Sequence, residues 1–298
     1  MTQICADPIP PRRERHARIL IGSGAVRGWT RTMPYATNAQ DGKRVYFEDE
    51  AGDGTPVVLH DGFGDSVEDL REWEIARALP TAEFRPIYVD HRGHGRSDKP
   101  HDPDSYEIRV RTADAVAVLD QLRIERAHFI GRSWGGRLCF GIGEHFPGRV
   151  RSLVIGGNQP YAWPDTRLAR LVGAALAEGA EAESMAPLVR AFEEFWEIRF
   201  SDVQRQRLLA NDPVALQAAW NAAQHEGAIS QELDRWRIPC LIFIGAEDAD
   251  FIVGARRAAE EIPGAELIVL DQADHYSAHL SQDAIVLERV LRTLRANG

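Results

Sequence analysis

The sequence has few cysteines, no long apolar run and no excess of basic residues. Its 298 residues include three cysteines, and their spacing fits no metal-binding motif. Because the number is odd, at least one thiol cannot pair within the chain. Cys139 and Cys240 fall in apolar segments, which predicts a reducing, cytoplasmic compartment. No stretch approaches the ~18 apolar residues that cross a bilayer, so no membrane span is expected. The net charge of −10 argues against nucleic-acid binding, because Lys and Arg supply most of the affinity for phosphates.

A serine between two glycines is the first feature that points to chemistry. Ala127 to Ile130 is an apolar run typical of a buried strand, and Gly136 to Phe146 is compatible with a helix. Between them lies Ser133, in the pattern G-x-S-x-G. A strand that turns directly into a helix puts this serine on a strained bend, where side chains at the flanking positions would collide with neighbouring elements. The bend exposes the hydroxyl and puts the Trp134 amide at a helix N-terminus, where anionic oxygens are stabilised.

Strand and helix patterns alternate along most of the chain after residue 32. The predicted strands are Tyr35 to Gln40, Lys43 to Asp49, Pro56 to His60, Phe84 to Val89, Ala127 to Ile130, Val150 to Ile155, Pro239 to Ile244 and Glu266 to Leu270. The predicted helices are Val67 to Leu79, Tyr106 to Leu122, Gly136 to Phe146, Gly254 to Glu261 and Asp283 to Arg295. This alternation predicts an α/β fold with a mostly parallel sheet that is covered by helices on both faces.

Two segments depart from this alternation. Residues 159–235 are helix-like throughout, which predicts a helical cap inserted after the sixth strand, over the edge where sites in α/β sheets lie. Residues 33–158 and 236–298 are then the core. Residues 1–32 are rich in arginine and proline and lack periodic apolar positions, which predicts a disordered extension. Most aromatic residues of the cap are expected in its own core, and the candidates for lining a pocket are Trp163, Phe195 and Trp196.

Three motifs, in this chain order, resemble the α/β-hydrolase superfamily from Met33 to the C-terminus. They are the loop Asp90 to Ser97, with the pattern D-x-R-G-x-G-x-S, the elbow Gly131 to Gly135, and Ala273-Asp274-His275 after the last strand. The resemblance is to the cap-bearing serine hydrolase branch, which includes esterases, C–C hydrolases and haloperoxidase-like enzymes. It implies an eight-stranded sheet and a small-molecule substrate, and it implies no cofactor or metal.

The resemblance also implies a catalytic triad. A serine hydroxyl needs a positioned base, and the family order Ser…Asp…His gives Ser133 as nucleophile and His275 as that base. The acid usually lies three residues beyond the glycine after the preceding strand, which selects Asp248 to orient the histidine. The competing carboxylates in the same loop are Glu247 and Asp250.

The expected oxyanion hole consists of two backbone amides. Trp134 supplies one, and Phe63 occupies the family position of the other, in the loop after the strand Pro56 to His60. The family commonly has histidine directly before the glycine of this loop. Here Asp61 takes that position and His60 lies one residue too early, so the usual imidazole brace is missing or replaced.

One hypothesis is that Asp61 itself replaces the brace. Its carboxylate would pair with Arg132, with Arg92 or with backbone N–H groups, so that its charge points away from the oxyanion. The alternative is a partly exposed aspartate without a role. His91 and His94 lie in the turn of the D-x-R-G-x-G-x-S motif, where we expect them to brace that loop.

The predicted reaction is hydrolysis of a carboxylic ester or a lactone-like acyl bond. Serine at the elbow argues against haloalkane dehalogenase and epoxide hydrolase chemistry, which uses a carboxylate nucleophile in this fold. One alternative is an aminopeptidase of the proline-iminopeptidase type, in which Glu193, Glu194 and Glu197 would bind the substrate ammonium. The other is a non-catalytic binding protein on the same fold. The sequence leaves open the substrate and whether the chain forms a homo-oligomer.

Overall fold

Eight strands form one sheet in the part of the chain that the structure describes. The structure is a computed structural model that describes residues 34–279 and 284–298, and the predicted extension at residues 1–32 lies outside the described residues. The strands are β1 (Tyr35–Thr37), β2 (Arg44–Asp49), β3 (Thr55–His60), β4 (Phe84–Val89), β5 (Ala127–Arg132), β6 (Val150–Gly156), β7 (Cys240–Gly245) and β8 (Glu266–Leu270). Their order in the sheet is β1-β2-β4-β3-β5-β6-β7-β8.

The strand pairing confirms the predicted mostly parallel sheet. β1 and β2 form the antiparallel hairpin expected around Asp41-Gly42, and β2 pairs antiparallel with β4. All strands from β4 to β8 along the sheet pair in parallel. Parallel strands end at the same edge, so the loops that follow β3, β5, β7 and β8 converge there.

Eleven α-helices lie within the described residues. They are α1 (Val67–Glu72), α2 (Glu74–Ala78), α3 (Ile108–Gln121), α4 (Trp134–His145), α5 (Arg167–Glu181), α6 (Ala186–Phe195), α7 (Asp202–Leu209), α8 (Pro213–His225), α9 (Ile252–Glu261), α10 (His275–His279) and α11 (Ala284–Ala296). Helices α5 to α8 lie between β6 and β7, where the sequence predicts a helical insertion. None of the described helices is long and apolar enough to cross a membrane.

The predicted helix Val67 to Leu79 is instead two short helices. Trp73 separates α1 from α2 with extended backbone angles, φ −68° and ψ 129°. A continuous helix would extend the apolar face of Val67 and Leu70 to Glu74 and Arg77, which are charged. The break restarts the apolar pattern at Ile75, so both helices bury apolar side chains against the same face of the sheet.

Alternate strand residues pack on opposite faces of the sheet. Val58 of β3 points to the side covered by α3, α4 and α9, whereas Val57 and Leu59 point to the side covered by α1, α2 and α11. A third apolar cluster joins α5, α6 and α8 to Trp134 at the start of α4. The inserted helices therefore pack over the end of β5, where the elbow serine lies.

Candidate active site

The sharp turn between β5 and α4 positions Ser133. Its backbone takes φ 49° and ψ −113°, a left-handed conformation that is strained for a residue with a side chain. A Cβ atom at Gly131 would lie 2.2 Å from the Gly135 carbonyl oxygen, and one at Gly135 would lie 2.4 Å from the His60 carbonyl oxygen. Both glycines of the motif are therefore required by close backbone contacts.

The structure brings Ser133, His275 and Asp248 together from the loops after β5, β8 and β7. Ser133 Oγ lies 2.9 Å from His275 Nε2, and His275 Nδ1 lies 2.8 Å from Asp248 Oδ2. The Asp248 side chain is only 2% exposed, so the imidazole faces a carboxylate that is shielded from water. Phe251 and Trp196 flank the imidazole, with ring centres 5.2 and 6.4 Å from its own.

The two competing carboxylates of the β7 loop, those of Glu247 and Asp250, have different surroundings from Asp248. Asp250 Oδ2 accepts a hydrogen bond of 2.9 Å from the Thr166 hydroxyl and borders the same cavity as Ser133. Burial and the neighbouring Asp248 charge raise the pKa of Asp250. Glu247 is exposed. Of the three acidic candidates, Asp248 is the one that the structure places against the imidazole.

The two predicted oxyanion donors, Phe63 and Trp134, lie beside Ser133. Trp134 is the first residue of α4, so its N–H has no partner within the helix. A Cβ atom added to Gly62 would be 3.8 Å from Ser133 Cβ, which places the loop before Phe63 next to the serine. Within the described residues, neither the Phe63 nor the Trp134 amide donates an intramolecular hydrogen bond. Their rings also contact each other, with centres 5.0 Å apart.

A cavity of about 310 Å³ opens onto Ser133 and His275. The predicted residues Trp163 and Trp196 line it, but Phe195 does not: its ring contacts the Trp196 ring and the Arg167 guanidinium instead. Aromatic residues of the lining that sequence reasoning missed are Trp73, Phe192, Phe200, Trp220, Phe251 and Tyr276. Phe251 and Tyr276 directly follow Asp250 and His275 in the sequence. Their position next to candidate site residues could have predicted that they line the cavity.

Asp61 pairs with Arg132, as one form of the brace hypothesis expects. Its Oδ1 accepts hydrogen bonds from Arg132 Nε and, at 2.7 Å, from the Gly62 amide. Arg132 Nη2 also bonds to Asp65 Oδ2 at 3.1 Å. Burial and the Asp61 charge raise the pKa of Asp65. Arg92, the other candidate partner, is fully buried and bonds to different carboxylates, those of Asp114 and Asp41.

The D-x-R-G-x-G-x-S loop supports the fold and does not border the cavity. Asp90 accepts hydrogen bonds from the Val67 amide at 2.7 Å and the Arg96 amide at 2.8 Å, which ties the start of α1 to the loop after β4. A Cβ atom at Gly95 would lie 2.2 Å from Asp90 Oδ2, so this turn needs glycine. The motif therefore has a structural role, and none of its residues is among the described residues that line the cavity.

Two buried arginines support the aromatic floor of the cavity. Their guanidinium carbons lie 4.3 Å (Arg111) and 5.3 Å (Arg137) from the ring centres of Trp134 and Trp163. Both arginines bond to the Glu226 carboxylate at 2.9 Å. Because Glu226 follows α8, this ion cluster fixes the end of the inserted helices to α3 and α4.

Comparison with known proteins agrees with this architecture. A family model described as alpha/beta hydrolase fold matches residues 55–179. The chain is 38% identical over 120 residues to bifunctional epoxide hydrolase 2 of Sus scrofa, a match that covers 40% of this chain and 21% of that protein. It is 27% identical over 220 residues to 3-oxoadipate enol-lactonase 1 of Acinetobacter baylyi, which covers 71% of this chain and 78% of that protein.

A solved structure gives a longer match. The crystal structure of a hydrolase from Pseudomonas aeruginosa PA01 superposes with a TM-score of 0.73 at 26% identity, over 87% of this chain and 97% of that one. The fold, the family model and these relatives agree: the chain has the α/β-hydrolase fold and is similar to members of the α/β-hydrolase superfamily.

Proposed function

We propose that the protein is a serine hydrolase that cleaves a carboxylic ester or a lactone-like acyl bond. The observation that carries this proposal is the continuous hydrogen-bonded series from Ser133 Oγ through the His275 ring to Asp248, with contacts of 2.9 and 2.8 Å. A serine with a base in reach, and a base with an orienting acid, is the arrangement that makes a hydroxyl nucleophilic at neutral pH.

The reaction would proceed in two acyl-transfer steps. Ser133 Oγ attacks the carbonyl carbon while its proton moves to His275 Nε2. The carbonyl oxygen becomes an oxyanion, which the amides of Phe63 and Trp134 stabilise. Collapse of the tetrahedral intermediate breaks the bond to the leaving oxygen, which takes the proton from Nε2 and departs as an alcohol. Water then attacks the acyl-enzyme by the same route, and the carboxylic acid is released.

We further propose that the inserted helices act as the cap of this site. Leu168, Ala169 and Val172 of α5 line the cavity together with Phe192 of α6 and Trp220 of α8, and each of these side chains is nearly buried. Two other residues of the lining, Glu72 and Glu74, have side chains that are 51% and 36% exposed. A lining that is mostly buried and apolar, with exposed carboxylates in addition, favours a compact apolar acyl group over a long chain.

The contacts of the cap glutamates argue against the aminopeptidase alternative. Glu193 is 5% exposed, and Arg205 and Arg199 already neutralise its carboxylate, with contacts of 2.6 and 3.3 Å. Glu194 and Glu197 are exposed. None of the three borders the cavity among its described lining residues, so they do not offer an ammonium site next to Ser133.

Labelling and turnover test the proposal. A fluorophosphonate should label Ser133, and Ser133→Ala and His275→Ala should each lower turnover of a p-nitrophenyl ester by about 10⁴-fold or more. Ser152→Ala is the matched control, because Ser152 is a fully buried serine of β6 outside the cavity. A protein that is folded but remains unlabelled and inactive on esters from acetate to octanoate would refute the proposal. Turnover of proline p-nitroanilide in preference to every ester would favour the aminopeptidase.

A further inference from the structure

The carbonyl of Asp61 receives two hydrogen bonds at the start of the loop that leads to Phe63. The Gly135 amide lies 2.9 Å from this oxygen, and His91 Nε2 lies 3.0 Å from it. A carbonyl oxygen can only accept, so the proton of this contact is on His91 Nε2. His91 therefore donates from the loop after β4 to the loop after β3.

The other edge of the same peptide unit is fixed as well. The Gly62 amide donates to Asp61 Oδ1 at 2.7 Å, and Arg132 holds that carboxylate. The peptide group between Asp61 and Gly62 is planar, so bonds on its carbonyl and on its N–H fix its orientation. Only the two backbone dihedral angles of Gly62 then separate this fixed plane from the Phe63 N–H.

Two further histidines hold the His91 ring in place. The His60 ring stacks on it at 5.1 Å between centres, and the His94 ring meets it at 5.6 Å. All three rings are at most 5% exposed, and neither nitrogen of His60 has a partner among the described residues. Burial lowers the pKa of His60 to about 3 and that of His94 to about 4, so these rings are neutral at pH 7. His94 also contacts the Phe63 ring, with centres 5.5 Å apart.

We propose that His91 is a positioning residue that holds the oxyanion loop, residues 61–63, through the Asp61 carbonyl. The loop lacks a histidine directly before Gly62, and His91 supplies an imidazole from the neighbouring loop. The kinetic part of this inference rests on the proposed role of the Phe63 amide. The structural part, that His91 keeps the loop ordered, does not depend on it.

Two substitutions of His91 separate the hydrogen bond from packing. His91→Leu removes the donor, whereas the Nε2 amide of His91→Gln can reach the position of the imidazole Nε2. We expect His91→Leu to lower kcat by about 10- to 100-fold with KM changed by less than about threefold, because a displaced oxyanion donor acts mainly on the transition state. His91→Gln should recover most of that loss. The matched control is His128→Leu, since His128 is an equally buried histidine of β5 that bonds to Ser152 instead; it should lose stability and retain kcat.

Amide hydrogen exchange of residues 60–66 is the readout that does not require activity. Faster exchange of this peptide in His91→Leu, absent in His91→Gln and His128→Leu, supports the inference even if the wild-type protein hydrolyses no ester. Unchanged exchange in His91→Leu overturns it, whatever the kinetics. Faster exchange with unchanged kcat overturns the positioning role for catalysis. Failure of the proposed function itself would be recognised separately, as a wild-type protein that fluorophosphonate does not label.

Discussion

Asp248→Asn tests the assignment of the acid with almost no change in side-chain shape. In the wild type, Asp248 Oδ2 accepts the Nδ1 proton of His275 across 2.8 Å, in surroundings that leave the carboxylate 2% exposed. In the proposed reaction His275 takes the proton of Ser133, and an imidazolium forms next to this carboxylate. Two charges about 4 Å apart attract by about 4 kcal/mol at the effective dielectric constant of a protein site. Loss of that attraction alone corresponds to about 10³-fold in rate, at about 1.4 kcal/mol for each factor of ten.

An asparagine amide can also present an N–H to Nδ1 and so favour the imidazole tautomer that carries its proton on Nε2. That tautomer cannot accept the Ser133 proton, and the combined loss in kcat should reach about 10⁴-fold. Asp250→Asn is the matched control, because its amide oxygen can still accept from the Thr166 hydroxyl; its kcat should remain within about fivefold of wild type. Initial rates on p-nitrophenyl acetate, with melting temperatures to verify folding, measure both. Equal losses, or a larger loss for Asp250→Asn, would show that the wrong carboxylate has been assigned.

Three further predictions concern the loop, the cavity and the buried histidines. Asp61→Ala should lower kcat by about tenfold with little loss of stability, because Arg132 keeps Asp65 as a partner, and Asp61→Asn should retain more activity; an Asp61→Ala protein as active as wild type would refute the brace. Trp220→Ala should raise the rate on p-nitrophenyl octanoate relative to acetate by enlarging the buried part of the cavity, and an unchanged ratio would contradict the proposal that this part favours a compact acyl group. The pKa of His60 is about 3 in the folded protein and about 6.5 in the unfolded chain, so the unfolded chain binds the proton at a higher pH. The free energy of unfolding therefore falls as the pH drops below 6.5, and the His60 contribution to this loss is about 2 kcal/mol at pH 5. Urea unfolding of His60→Phe should therefore show a smaller loss of stability from pH 7 to pH 5 than wild type, and equal losses would refute this account.

The elements with a local signal could be predicted from the sequence. Strand composition and turn residues located all eight strands within a few residues, and Phe84–Val89 and Glu266–Leu270 are the predicted bounds themselves. The elbow was predictable for the same reason, since both glycines and the serine lie within five residues. The break at Trp73 could not be predicted, because neither glycine nor proline lies at that position. It arises because the apolar faces of α1 and α2 both have to pack against the same face of the sheet.

Contacts between distant segments were the part that the sequence could not supply. Phe192 lines the cavity and Phe195 does not, although both are aromatic residues of α6, because the rotation of that helix is set by its packing on α5. The contact from His91 to the Asp61 carbonyl joins residues thirty positions apart. This hydrogen bond forms because β3 and β4 are neighbours in the sheet. No local sequence pattern in either loop predicts it.

At the left-handed backbone position of Ser133, the residue that is best for stability differs from the residue that the proposed activity requires. At φ 49° a glycine would fit without strain, whereas a serine there costs of the order of 1 kcal/mol or more. Random substitution combined with selection for folding alone would therefore tend to remove the hydroxyl from this position. A serine in this strained turn, facing a buried imidazole, is therefore a less stable choice than glycine, and the proposed role as nucleophile accounts for it.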